Sequence, residues 1–522
     1  MSKKAIIIGS GIAGLALSVR LKVKGYDVHV FEKNESYGGK LSEFKLGEYR
    51  YDFGPKLFTL PELLIDLFKI SNQNIDDYIK YKKIEVGCKY FWEDGKVFNA
   101  FSDKQKLIKE IVSEFDTDKK KLNNYLNKSK KKFDLTRTIF LEKSLHKAST
   151  FFSISAFKAI LKVFSLDIPK PLNQLNEEAF DDQRLVQLFN RFATYNGSNP
   201  YVTSGIMSMI QHLEHDLGVF MPSNGLSDIS KSIYDLANDL GVTFSFNSSI
   251  DKVITDKNKA IGVEKNKQEF LADVIISNMD VNLTYSELLK GYKKPRYLKD
   301  YEPSSSAIVF YWNIDRSFKE LDLHNIIFSK NNYKEFYYIF NIKLIYEDPT
   351  IYICPTSKVV KNDAPKGCEN WFILINSPYD SGQDWDNIKN TLRQNIIKKI
   401  NHTLNISIDK HIVMEEVFTP KDIEIKTLSQ YGSLYGSSSN SLMSAFLRHP
   451  NFSNKILNAS SFVKTSSMYL KVNHSIIVSG LLSTINFHSG LLFFFAIKSQ
   501  RELKIAATAI WTTPFSGPSH LS

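Results

Sequence analysis

The chain has 522 residues, of which 43% are hydrophobic, and it carries a formal net charge of +11 at pH 7. This length suits two or three domains, and this hydrophobic content excludes a chain that is disordered throughout. The three cysteines, Cys88, Cys354 and Cys368, lie far apart and form no CxxC pair, which argues against a disulfide framework and a zinc site. The lysines are scattered and no nucleic-acid motif occurs, so we expect no nucleic-acid partner. The positive charge favours a membrane surface as the partner, and a soluble basic protein without such a partner is the alternative.

An apolar segment at residues 5–8 runs into a glycine-rich turn. Gly9, Gly11 and Gly14 follow, and a second apolar segment ends at Glu32, 18 residues after Gly14. In a strand–turn–helix unit, the first glycine allows the tight turn, the second lets a pyrophosphate approach the backbone, and the third lets helix and strand pack closely. The helix N-terminus presents N–H groups to phosphates, and Glu32 can accept hydrogen bonds from a ribose. The segment therefore predicts a dinucleotide site of the Rossmann type.

A second glycine pair, Gly38 and Gly39, comes next and is followed by Lys40. A nicotinamide dehydrogenase has no need of this pair, whereas the pattern resembles flavoproteins of the amine-oxidase superfamily, so we expect FAD as the cofactor. The resemblance implies that the pair lets a loop pass close to the FAD pyrophosphate, with Lys40 near the phosphates. Residues 51–55 resemble the part of those flavoproteins that leads to the flavin and the substrate cavity, although alone they suit an ordinary turn.

Helical patterns dominate the next part of the chain. Residues 103–150 are rich in lysine and show the apolar spacing of helices. Residues 151–164 place apolar side chains on one face and lysines on the other, so this amphipathic basic helix either lies on a membrane surface or packs on its own domain. Since only four apolar residues separate Lys4 from Gly9, we expect no signal peptide and a cytoplasmic protein at the inner face of the membrane.

A helix followed by a turn with Gly and Pro occupies residues 184–201 and precedes His212, Glu214 and His215. These three residues do not form an HExxH motif, and no second group of ligands is evident. We therefore expect no metal.

Residues 225–280 predict a helix that ends at residue 240, a strand at 241–246, a hairpin of 250–254 with 260–264, and a strand at 273–278. This order returns the chain to the cofactor domain, which is therefore discontinuous. Residues 305–425 predict a second domain built on a sheet, with strands at 307–313, 371–376 and 411–414 and a helix near 385–402.

We predict an α/β fold in which a Rossmann-like FAD-binding domain (GR2-type flavoprotein) carries an inserted α+β substrate domain. The predicted divisions are the first FAD-binding part (1–90), an insertion that contacts substrate and membrane (91–219), the second FAD-binding part (220–300), the substrate-domain sheet and helices (301–425), a return to the FAD domain (426–456) and an atypical tail (457–522). The candidate cofactor-binding residues are Gly9, Gly11, Gly14, Glu32, Gly38, Gly39, Lys40, Gly54, Pro55 and Val253. The sequence assigns no catalytic residue.

Several segments together resemble the carotenoid desaturases, a family of FAD-dependent oxidoreductases related to phytoene desaturase. Besides the N-terminal motifs, they are 191–200, 212–225, 273–280, 432–436 and 446–450, and the resemblance covers residues 1 to about 456. Residues 88–95 and 191–200 are similar to the bacterial subgroup that desaturates hydroxylated acyclic carotenes at C-3,4.

The resemblance implies an enzyme that removes two hydrogens from a C40 polyene. A hydride passes to the flavin N5 and a proton leaves the adjacent carbon, with a quinone or oxygen as the electron acceptor. The alternatives are a phytoene desaturase proper, another flavin enzyme of the amine-oxidase type, and an inactive truncated flavoprotein.

The family pattern ends after residue 456. Relatives continue with a double glycine and a His-Pro pair that close the flavin site, whereas residues 457–522 lack both and contain a single acidic residue, Glu502. The uncharged run 475–497 is long enough to span a membrane but is too polar to favour it. We therefore interpret the tail as replaced or frameshifted, which puts activity in doubt.

Overall fold

The computed structural model describes residues 2–142, 163–295, 298, 302–440 and 456. The predicted amphipathic helix lies almost entirely outside these residues, and segment 446–450 and the tail 457–522 lie wholly outside them. The strands are β1 (Lys4–Ile8), β2 (Asp27–Phe31), β3 (Glu43–Leu46), β4 (Tyr49–Asp52), β5 (Tyr81–Lys83), β6 (Val86–Phe91), β7 (Val97–Phe101), β8 (Phe220–Pro222), β9 (Thr243–Ser245), β10 (Lys252–Asp256), β11 (Lys259–Lys265), β12 (Gln268–Leu271), β13 (Val274–Ser277), β14 (Ser306–Ile314), β15 (Asn325–Ile327), β16 (Ile351–Pro355), β17 (Glu369–Ser377) and β18 (Ile412–Phe418). The main helices are α1 (Ile12–Val23), α2 (Pro61–Ile70), α3 (Lys104–Phe115), α4 (Lys119–Glu142), α5 (Leu172–Ala179), α6 (Gln183–Asn190), α7 (Ser227–Asp239), α8 (Asn332–Tyr337), α9 (Trp385–Leu404) and α10 (Pro420–Thr427).

A four-stranded parallel sheet with the order β13-β1-β2-β9 forms the Rossmann-like part of the molecule. In register, Ile7 of β1 lies between Val30 of β2 and Ile276 of β13. All three side chains are buried, as expected for a parallel sheet that is covered on both faces. The sheet takes two strands from the first 31 residues and two from residues 243–277. The α/β fold predicted from the sequence is confirmed.

A seven-stranded sheet with the order β18-β14-β17-β16-β15-β6-β7 forms the second layer. Alternation along β14 sends Phe310 and Trp312 to one face and Val309 and Tyr311 to the other. The first face packs against α9 in one apolar cluster, whereas the second face joins the main core. Strands β6 and β7, at residues 86–101, extend this sheet through the parallel pair β15–β6.

Among the described residues, no helix is both long enough and apolar enough to cross a membrane.

Candidate functional site

The two glycine motifs meet at the carboxyl end of the parallel sheet. Gly9 has a φ of +98°, a left-handed conformation that favours glycine. A Cβ on Gly14 would collide with the Gly9 carbonyl oxygen, so helix α1 can start this close to β1 only with glycine there. The second motif returns to the first, because the Gly38 amide donates to the Ser10 carbonyl (3.0 Å) and a Cβ on Gly39 would lie 3.2 Å from the Gly11 Cα.

Glu32 follows β2 and is buried beside this loop. One carboxylate oxygen accepts from the amide (2.7 Å) and the hydroxyl (2.9 Å) of Ser10, and the other accepts from the Asn34 amide (3.0 Å). A carboxylate offers about four acceptor positions. The side chain is thus held in place by three donors and retains acceptor capacity for a ribose hydroxyl. Its backbone carbonyl accepts from the Ser248 amide (2.7 Å), which is more than 200 positions away in the chain.

Val253 lies in β10 opposite Val263 and is partly buried against the cluster that contains Ile6 and Phe31. Sequence reasoning missed Asn278, which follows β13. Its side-chain nitrogen lies 3.4 Å from the Gly9 carbonyl oxygen and would be 3.0 Å from a Cβ on Gly11. A polar residue at the carboxyl end of a predicted parallel strand is the signal that could have found it.

Lys40 and Gly54 lie at the junction between the glycine loop and a cavity. A Cβ on Gly54 would overlap the Lys40 carbonyl oxygen, so these two segments touch through their backbones. The Lys40 ammonium donates to the Leu434 carbonyl (3.1 Å). Burial lowers the pKa of Lys40 to about 8, although Asp280 opposes the shift.

Asp52 links the segment before Gly54 to the start of α7. Its carboxylate accepts from the amides of Leu226 and Ser227 (2.9 Å each) and from Arg50 (2.8 Å). Burial acts to raise the pKa of Asp52, but Lys56, Arg50 and the two amides together bring it below its ordinary value. The segment that alone suited an ordinary turn therefore contains a fully buried carboxylate, which joins it to Arg50 and to the start of α7.

The cavity has a volume of about 220 Å³ and is walled mainly by apolar and aromatic side chains. One face of the seven-stranded sheet supplies its floor, and Tyr311 donates to the Phe53 carbonyl at the edge nearest the glycine loop. The lining residues are Lys40, Phe53, Gly54, Pro55, Lys56, Leu57, Arg191, Thr194, Tyr195, Val309, Tyr311, Ile326, Phe328, Asn332, Glu335, Phe336, Thr350, Tyr352, Phe372, Leu374, Asn376, Phe418, Ile423, Thr427, Leu434 and Tyr435.

Arg191 is a cation in the wall of the cavity, and buried neighbours hold it in place. Its guanidinium pairs with the buried carboxylate of Glu214 and donates to the Tyr90 hydroxyl (2.7 Å). Burial raises the pKa of Glu214, while Arg191 opposes the shift. Burial lowers the pKa of the adjacent His215 to about 3, so this imidazole is neutral. Of the three residues weighed as metal ligands, Glu214 thus serves the ion pair, and the described residues contain no cluster arranged for a metal ion.

Comparisons with known proteins agree on the family. Residues 12–343 match the family of flavin containing amine oxidoreductases. The chain is 50% identical over 456 residues to a 1-hydroxycarotenoid 3,4-desaturase from Flavobacterium sp., which covers 87% of this chain and 93% of that protein. It is 29% identical over 443 residues to a 4,4'-diaponeurosporene oxygenase from Staphylococcus aureus, with 84% and 88% covered. A solved structure of a putrescine oxidase variant matches with a TM-score of 0.57 and 14% identity over 96% of this chain and 99% of that one, which shows a shared fold.

Proposed function

The chain belongs to the flavin containing amine oxidoreductase family, as a carotenoid desaturase, and we propose that it uses FAD to desaturate a 1-hydroxylated acyclic carotenoid at C-3,4. One observation carries the proposal: an aromatic cavity adjoins the glycine loop in a chain that is half identical to such a desaturase. A phytoene desaturase proper and an amine-oxidase-type enzyme are the competing functions that the experiment must separate.

The glycine loop and Glu32 fit the adenosine and pyrophosphate parts of FAD. Gly9 allows the left-handed turn, Gly14 allows α1 to start close to β1, and Glu32 has acceptor capacity for the ribose. We assign Gly38, Gly39 and Lys40 to the pyrophosphate, Gly54 and Pro55 to the flavin end, and Val253 to the adenosine side. When bound, FAD supplies the hydride acceptor, which the side chains of this cavity cannot provide.

The cavity walls orient the polyene and exclude water. Rings of Tyr311, Phe372 and Phe418 pack edge to face over the sheet, and they present a continuous apolar surface next to Gly54. A hydrocarbon chain gains most by burying its surface there. We further propose a quinone or oxygen as the final electron acceptor, and a membrane surface as the source of the substrate.

The test is anaerobic reduction of the purified flavoprotein by three substrates: a 1-hydroxylated acyclic carotenoid and phytoene, both in lipid vesicles of one composition, and putrescine in solution. The hydroxylated carotenoid is expected to bleach the flavin absorption and to yield a product two hydrogens lighter. If only phytoene or only putrescine bleaches the flavin, the proposed substrate is wrong, and the protein is a phytoene desaturase or an amine-oxidase-type enzyme instead. A folded protein that is colourless and binds no added FAD would support the inactive flavoprotein instead.

A further inference from the structure

A lysine side chain lies in the wall of the mainly apolar cavity, beside the aromatic ring of Phe372. Lys56 is 5% exposed, and its ammonium lies 4.1 Å from the centre of the Phe372 ring. The ammonium donates to the Asp52 backbone carbonyl. An ammonium carries three N–H donors, so this side chain has donor capacity beyond that one hydrogen bond.

A purely hydrocarbon substrate offers Lys56 no acceptor. Because Lys56 already has almost no contact with water, a hydrocarbon beside its ammonium leaves the remaining N–H donors buried without an acceptor, which is unfavourable for a polar group. A hydroxyl oxygen at the same place accepts a hydrogen bond and removes this cost. The cavity therefore favours a chain that bears an oxygen near Lys56 over the same chain without it.

The position of Lys56 fits the chemistry of the proposed reaction. In a 1-hydroxy substrate desaturated at C-3,4, a single methylene separates the hydroxyl carbon from the nearer reacting carbon, so the partner of the hydroxyl must lie beside the reacting end of the cofactor. Lys56 follows directly after Gly54 and Pro55, which we assign to that end. Glu335 and Thr350 form a polar part of the wall farther from the cofactor end: they lie near Asn376 of β17, about 13 Å along the strand from Phe372 at roughly 3.3 Å per residue.

We propose that Lys56 determines substrate specificity, by donating a hydrogen bond from its side-chain nitrogen to the C1 hydroxyl of the carotenoid. This inference rests on the proposed function. Glu335 already accepts from the amide (2.8 Å) and the hydroxyl (2.7 Å) of Thr350, so it serves the loop before β16.

The experiment measures kcat/KM for a 1-hydroxylated acyclic carotenoid and for its non-hydroxylated counterpart, in vesicles of one composition. For Lys56→Met, the ratio of the two values is expected to fall about 10-fold or more, because one hydrogen bond to a charged group is lost. Lys56→Arg keeps the donors and is expected to stay closer to the wild-type ratio. Lys132→Met is the control, since Lys132 is also buried but pairs with Asp167 and bonds to Gly205 and Ser208 away from the cavity.

An unchanged ratio in Lys56→Met overturns the proposal, as does an equal fall in Lys132→Met. Loss of the preference in Glu335→Gln also overturns it, because the hydroxyl would then lie at the opposite wall. If Lys56→Met does not fold, tryptophan quenching by the two carotenoids still decides: equal dissociation constants in the wild type contradict the proposal. A wild type that desaturates neither carotenoid refutes the proposed function itself, together with this inference.

Discussion

The glycine loop and the aromatic cavity adjoin each other at Lys40 and Gly54, yet they are built in opposite ways. The loop is made largely of backbone, and its two glycine motifs contact each other within the first 40 positions, as Gly11 does with Gly38; Asn278 is a contact from a distant part of the chain. The cavity is made of side chains, which come from segments between residues 40 and 435. Because backbone segments touch in the glycine loop, the loop has almost no room for an added atom. The cavity instead depends on whether each buried charge has a partner and on how the rings pack.

The largest expected effect concerns the loop. Gly14→Ala places a Cβ against the Gly9 carbonyl oxygen and is expected to abolish FAD binding, since α1 can no longer approach β1. The flavin content of the purified protein measures this loss. Gly291→Ala is the matched control, because the space around the Gly291 Cβ position is open. Normal flavin content in Gly14→Ala would mean that the loop is less closely packed than the geometry indicates.

The next prediction concerns the buried ion pair between Arg191 and Glu214 in the cavity wall. Arg191→Met leaves the buried Glu214 carboxylate without its partner, at a cost of about 3–5 kcal/mol in the free energy of unfolding. Burial raises the pKa of Glu214, and removal of Arg191 leaves that effect unopposed. The deficit is therefore present where Glu214 is ionised and shrinks as the pH falls and the carboxyl takes up a proton. Urea unfolding at two pH values measures it.

The double variant Arg191→Met with Glu214→Gln controls this experiment, because it removes both charges. It is expected to recover part of the lost stability and to lose the pH dependence. A deficit of Arg191→Met that is the same at both pH values would show that packing against Tyr90 and Phe192, rather than the ion pair, accounts for the loss.

The amino-acid sequence predicts the loop more fully than the cavity for a physical reason. Glycine spacing and the acid at position 32 report a local backbone geometry, so the sequence alone places Gly9, Gly14 and Glu32 around one turn. Strand periodicity likewise locates β14, β17 and α9 to within a few residues. The assignment of these residues to FAD stays a prediction, as do the domain boundaries.

Long-range pairing is what the sequence does not predict. Arg191 and Glu214 both lie in segments with recognisable patterns, but nothing in their spacing indicates that they form an ion pair. Lys56 directly follows the motif at residues 51–55, yet its burial depends on Phe372, more than 300 positions away. Such contacts depend on how distant strands pair and in which register, and a single sequence does not reveal that pairing.

Asp52 lies between the two regions and is expected to give a smaller effect. Asp52→Asn weakens the charge-assisted bonds to Arg50 and to the start of α7, at a cost of about 1–3 kcal/mol in the free energy of unfolding. Because the folded pKa of Asp52 is lowered, this contribution is present above the ordinary Asp pKa and is lost as the pH falls through the folded value. Asp66→Asn, in a partly exposed pair with Arg20, is the control, with a cost below about 1 kcal/mol. An equal loss in the free energy of unfolding for both variants would contradict a stabilising role of the Asp52 carboxylate.

Lys40 gives the smallest and most discriminating prediction, because it touches both regions. If its ammonium faces the FAD phosphates, as we propose, Lys40→Met is expected to raise the dissociation constant for FAD about 10-fold, the loss of one charge-assisted contact. Since burial brings the pKa of Lys40 to about 8, the wild-type advantage is present at pH 7 and declines as the pH rises above that value, whereas the variant shows no such decline. Equilibrium titration with FAD at pH 7 and pH 9 measures both effects. An unchanged dissociation constant, with a raised KM for the carotenoid, would instead assign Lys40 to the cavity through its bond to the Leu434 carbonyl.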